Sequence, residues 1–145
     1  MKHYFGFGVV AVVALFSASA VFAASDPGGF MGLKWTQTVG DCKKKGLCSD
    51  QSLTVPDAIA NEKGYYGASN KWNGIPAKFS SFAFHENRFY TATTVFDPRE
   101  ASFEDLKHSL TKTHGQPKTS GPKTVTWVLG QTNVALYKGE SFHGV

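Results

Sequence analysis

The first two dozen residues constrain this chain more than anything else in it. A short basic start, Met1-Lys2-His3, runs into an apolar stretch from Tyr4 to Phe16, and small residues take over at Ser17-Ala18-Ser19-Ala20. Val21 and Ala23 then occupy the −3 and −1 places of an A-x-A-like cleavage site. That three-part layout is what a secretory signal peptide needs, and it predicts cleavage after Ala23. An uncleaved transmembrane anchor is the competing reading. Gly6, Gly8 and several Ala and Ser steps interrupt the apolar part, which falls short of the ~20 strongly apolar residues that span a bilayer. No basic stop-transfer cluster follows, because the next residues are Ala24-Ser25-Asp26-Pro27-Gly28-Gly29, and no cysteine is placed there to carry a lipoprotein anchor. The expectation is therefore a signal peptide at 1–23 and a periplasmic or secreted protein with no stable membrane anchor after cleavage. In the full-length chain, the first ~20 residues are expected as a detached apolar helix with few contacts to the domain.

Residues 24–145 suffice for one domain and are too few for two. The whole chain carries 15 Lys and Arg against 11 Asp and Glu, a formal net charge of +4, of which Lys2 in the leader supplies one. Lys43-Lys44-Lys45 is the only basic run, and it reads as a solvated helix face. A nucleic-acid binder shows a far denser basic patch, so no nucleic-acid partner is expected. Anionic polymers of a cell envelope remain compatible with this surface.

Cys42 and Cys48 are the two cysteines. In an oxidising compartment a lone pair normally becomes a disulfide. On one continuous helix, residues six apart lie ~9 Å apart along the axis, too far for the ~4.4–6.8 Å Cα separation that a disulfide requires. Gly46 resolves this by ending the helix after Lys45 and turning the chain back. Closing so short a loop is worth ~2 kcal/mol. A redox-active pair or a metal site is the rival reading, but the spacing is not C-x-x-C and no histidine lies nearby in sequence.

Along the domain, Thr36 or Thr38 can cap a short helix reaching Lys45, with Asp41 near its start and lysines near its end. Cys48 to Pro56 is polar and turn-like, and Asp57 to Lys63 suits one or two helical turns. Tyr65-Tyr66 opens a segment that reaches Asn73-Gly74, the dipeptide best suited to a tight hairpin turn. Two further segments, from about Pro76 to His85 and from Arg88 to Phe96, flank a Glu86-Asn87 turn. Together these predict a three-strand meander. A bulge at Ser80-Ser81 would bring both Phe79 and Phe82 to the buried face. Phe103, Leu106 and Leu110 then form one stripe of a helix, started by Ser102 with Asp105 and stopped by Gly115 and Pro117. Val125, Trp127 and Leu129 share a strand face, and Val134 and Leu136 begin a final strand after the Gly130-Gln131-Thr132-Asn133 turn. Antiparallel strands with segregated helices predict an α+β fold, a meander plus a C-terminal hairpin packed against two short helices.

No motif fixes a reaction. His85, His108, His114 and His143 lack the H-x-x-x-H and H-E-x-x-H spacings of zinc sites, and no G-x-S-x-G elbow, S-x-x-K or Gly-rich phosphate loop occurs. His108 falls on an exposed helix side, and His114 sits near that helix's end, where the dipole favours it. No cofactor is indicated. Most aromatics fit core positions on strands and helix. Tyr65, Tyr66 and Trp72 differ, because they flank the Asn-Gly turn among Ser69, Asn70, Lys71 and Asn73. Aromatics beside polar turn residues mark sites that bind sugars, peptides or protein partners; simple cross-strand packing is the alternative. Tyr65, Tyr66, Trp72 and Asn73 are thus the candidate binding residues.

Phe30-x-Gly32-x-x-Trp35, Asp41-x-Lys43, Gly74-Ile75-Pro76-Ala77 and Phe82-x-Phe84-x-x-x-x-Phe89-Tyr90 resemble a group of small exported bacterial proteins. That group opens on F-x-G-x-x-W-G and a short helix, and continues with a G-x-P-A strand and an F-x-F strand. Its last helix ends in a G-x-P turn, matched by Gly115-Gln116-Pro117, with a tryptophan strand after it, matched by Trp127. This chain departs at Thr36, where the group has glycine, and at Cys42, where it has an aliphatic residue. The group's layout is similar to that of β-lactamase-inhibitor-like and outer-membrane assembly lipoprotein domains. The resemblance implies a protein-binding domain without catalytic residues, and it transfers no functional residue. The expectation is an exported, non-enzymatic interaction module whose partner is another envelope protein or an envelope polymer. A small secreted hydrolase acting on envelope material is the alternative.

Overall fold

The computed structural model describes residues 9–16, 26–54 and 61–139. In chain order its elements are β1 (Val9–Phe16), β2 (Gly29–Phe30), β3 (Leu33–Lys34), α1 (Val39–Lys44), β4 (Cys48–Leu53) and β5 (Glu62–Gly67). After them come β6 (Lys71–Trp72), β7 (Ile75–Pro76), β8 (Phe79–His85), β9 (Arg88–Phe96), α2 (Phe103–His114), β10 (Thr119–Ser120), β11 (Thr124–Leu129) and β12 (Thr132–Gly139). Eight strands form one antiparallel sheet in the order β10-β11-β12-β1-β9-β8-β5-β4, and β2-β3 and β6-β7 are small separate hairpins.

This corrects the α+β expectation. The molecule is mostly β, with one large antiparallel sheet and two short helices. Three segments account for the difference. Cys48–Leu53, read as turn, is strand β4, and Glu62 and Lys63, read as helical, begin β5. The third segment is Val9–Phe16. Instead of a detached helix it forms a strand in the middle of the sheet, paired antiparallel with both β9 and β12. Its sequence, VVAVVALF, is rich in β-branched valine, which suits a pleated surface. The backbone groups that β9 and β12 turn toward it find their partners there, as a buried backbone requires. The cleavage site at Val21-Phe22-Ala23 and the helical turns expected around Asp57 lie mostly or wholly outside the described residues.

One sheet face carries the core. Cross-strand partners point to the same side, so Phe82, Ala92, Ala14 and Val134 share this face, as do Thr94, Val12 and Leu136. Trp127, Phe82, Phe84, Phe89, Phe96, Leu33, Leu106 and Leu110 are among the fully buried side chains. The expected inward stripe of α2, Phe103, Leu106 and Leu110, is buried, as are Val125, Trp127 and Leu129 on β11. Ser102 accepts the Asp105 N–H at the start of α2. At its end the Trp127 indole N–H donates to the Gly115 carbonyl at 3.0 Å. Thr38 and Asp41 form a reciprocal capping box on α1.

No bulge falls at Ser80-Ser81. Phe79 points to the second face and is 37% exposed, whereas Ser80 is buried and its hydroxyl bonds that of Thr94 at 3.0 Å. The register shift comes between Ala83 and Phe84, opposite Phe89 to Thr91. Asn73-Gly74 does form a turn, with φ of +47° and +80°, but it closes only the two-residue strands β6 and β7. The long pairing is β5 with β8.

Candidate functional site

The aromatic residues singled out in the sequence are dispersed by the fold. Tyr65 and Tyr66 are neighbours on β5 and project to opposite faces, Tyr65 with its partner Phe82 and Tyr66 with Ser81. Tyr65 packs edge-on to Phe84 on the core side, with the Lys43 ammonium 5.3 Å from its ring centre. It borders a shallow polar groove with Asn61, Lys63, Glu86 and Asn87. Tyr66 meets Phe79 edge-on on the other face. Trp72 is not an exposed anchor: it is buried, stacked on Phe30 and edge-on to Phe96. The reason is strand alternation, since Lys71 and Asn73 on either side are exposed while Trp72 turns inward.

Trp72 and Asn73 do meet at one feature, an apolar cavity of about 140 Å³ on the core side of the sheet. Its walls come from two hairpins, one helix and two strands. The β6-β7 hairpin supplies Trp72 and Asn73, and the β2-β3 hairpin supplies Phe30 and Met31. The end of α2 contributes Leu110, Thr113 and His114, while β1 and β12 supply Val12, Ala14 and Val134. The recess is open to solvent on one side, and its apolar floor has room for a group of about the size of a benzene ring. His114, half-buried at the rim, is the one titratable lining group. Burial lowers its pKa below the ordinary 6.5, outweighing the helix-dipole effect anticipated from the sequence, so neutral imidazole faces the cavity at neutral pH. The stripe Phe103, Leu106, Leu110 extends to His114 at helical spacing, the signal that would have placed this histidine inward. Ala14 carried no such signal.

Cys42 and Cys48 are joined, with Cα atoms 5.4 Å apart. Gly46 at φ +66° turns the chain between them as its position suggested, and the bridge ties α1 to β4. The carboxylates with lowered pKa serve the scaffold. Hydrogen bonds from Arg99, first its side chain and then its backbone, hold Asp97 far below the usual carboxylate range. For Asp41 the cause is the backbone and hydroxyl of Thr38. Asp26 is pushed up by burial, but hydrogen bonds from Gly28, Thr132 and Gln131 outweigh this and lower it. Among the described residues no three His, Cys, Asp or Glu side chains gather as a metal site, and no helix is long and apolar enough to cross a membrane.

The TP0088 domain family model matches residues 76–141, from the end of the β6-β7 hairpin through β12. This is a small bacterial domain family, and the match covers the strand and helix segments that build one side of the cavity. No curated protein matches the chain. No solved structure matches it either.

Proposed function

We propose that this protein is an exported, non-enzymatic binding module that engages an envelope protein through apolar contact. The observation that carries the reading is the cavity beside α2, an apolar recess of about 140 Å³ opening between two tight hairpins. Sites that recognise partners combine such a recess with aromatic walls and a few polar groups at the rim. Trp72 and Phe30 are the aromatic walls here, and Asn73, Thr113 and His114 supply the polar rim. The resemblance to exported protein-binding domains supports the same reading, as does the structural employment of Asp26, Asp41 and Asp97 in turns and caps.

The test is site-specific crosslinking in the native envelope. A photoreactive residue at Asn73 or Thr113, both exposed, should capture one discrete protein, and the same residue at Glu104 on the exposed side of α2 should not. Equal, diffuse labelling from all three positions would count against a binding module. Turnover of envelope material that disappears with His114→Gln would replace it with the hydrolase reading.

A further inference from the structure

Strand β1 holds a position that an expected signal peptide should not hold. It lies between β9 and β12 and pairs with both, from Val9 opposite Gly139 to Phe16 opposite Thr132 on one side and from Val10 opposite Phe96 to Leu15 opposite Thr91 on the other. Because it is antiparallel to each, β9 and β12 run parallel to one another. Neighbouring strands are ~4.8 Å apart, so these two stand ~10 Å from each other, beyond direct backbone pairing. Cleavage after Ala23 would remove β1 and leave a slot one strand wide. Both of its edges would present free N–H and C=O groups, a template for another strand.

The slot is incompletely filled by its present occupant. The core-facing row Ala92–Ala14–Val134 consists of small side chains, next to the larger row Thr94–Val12–Leu136. The cavity opens over these rows, lined by Ala14, Val12 and Val134 on the sheet and by Leu110 and His114 above. A strand with a longer side chain at the place of Ala14 would occupy that space without disturbing the backbone register.

We infer that the processed protein is a strand acceptor: it binds an extended, uncharged segment of an envelope protein, antiparallel between β9 and β12, with a large apolar side chain at the register position of Ala14 entering the cavity. Strand addition of this kind draws affinity from main-chain hydrogen bonds and specificity from pockets for alternate side chains. Residues 9–16 show the chemistry the slot takes, β-branched and without charge. The inference rests on the binding-module reading above and names the partner's chemistry.

The experiment uses the protein purified from the envelope, its amino terminus established by sequencing. It is titrated with a lysine-flanked synthetic peptide of residues 9–16, with the Ala14→Leu version of that peptide, and with a scrambled control. One equivalent of the first should bind, the leucine version on the order of fiftyfold more tightly from its three added buried carbons, and the scrambled peptide not at all. The leucine peptide should also displace the partner captured by crosslinking at Asn73. Absence of peptide binding, equal binding of the scrambled peptide, or no gain from leucine overturns the inference. So does recovery of the protein with residues 9–16 still attached, since the slot is then occupied from within. A captured partner that the peptides do not displace overturns the slot alone and leaves the binding module standing; peptide binding with no envelope partner at any position sinks the module reading instead.

Discussion

Thr36 shows how a single residue can depart from what its place in the fold asks for. Its φ is +70°, a left-handed conformation that is costly for a β-branched side chain. The side chain is exposed, and the N–H donates to the Phe89 carbonyl at 3.0 Å, a bond that glycine would keep. Thr36→Gly should therefore stabilise the fold by about 1 kcal/mol, the relieved strain exceeding the entropy of a freer unfolded chain; a urea midpoint lower than the parent's would contradict this. Trp72 is the opposite case. A reading of Trp72 as a surface hot spot predicts little loss of stability when it is truncated. Its burial between Phe30 and Phe96 instead predicts that Trp72→Ala costs about 3–5 kcal/mol. An unchanged melting temperature would return Trp72 to the surface.

Among the elements, α2 depends on its cap as much as on its stripe. The Ser102 hydroxyl accepts the Asp105 N–H and donates to the Asp105 carboxylate, so Ser102→Ala should cost about 1 kcal/mol, measured as a fall in Tm with the sheet's circular dichroism intact. An effect near zero would mean that packing of Leu106 and Leu110 fixes the helix start unaided. This element was legible in the sequence because cap, stripe and Gly-Pro stop agree. The β8-β9 turn and the inward alternation of β11 were legible for the same reason. β1 was not, since a continuous apolar run has no period that separates a buried strand from a leader's hydrophobic segment. β4 was hidden differently: it is an edge strand paired only with β5, so Ser49-Asp50-Gln51-Ser52 can be polar without loss. Trp72 and Asn73 stand out in the sequence beside the Asn-Gly turn, but the exposed position expected of Trp72 is not the one it takes, because strand alternation turns it inward. The opposite cavity wall was not legible, because no local pattern reports that the end of α2 comes to rest over Ala14.

At the scale of the molecule, the titrating groups tie the stability of the whole sheet to pH. Asp26 joins the chain leading into the domain to the β11-β12 turn. Its carboxylate accepts from Gly28, Gln131 and the Thr132 hydroxyl, and that hydroxyl also accepts the Trp35 indole N–H. Asp97 braces the exit from β9 through Arg99, and Asp41 caps α1. All three have folded pKa values below the unfolded value near 3.8. Their contribution is fully present above that value and is lost as pH falls through the folded values, where the unfolded chain binds more protons. His114 acts in the same direction in a higher window. Its folded pKa lies below 6.5, so its cost is absent above 6.5 and grows as acid forces a proton onto a half-buried imidazole. The melting temperature should thus be flat above about pH 7, decline gently as pH drops below about 6.5, and fall more steeply below about pH 4. His114→Gln should remove the gentle decline and leave the steep one. Asp26→Asn should lower stability at pH 7 and flatten the acid limb. A wild-type profile level from pH 7 to 5 would mean that water reaches His114 freely, although the structure has it half-buried.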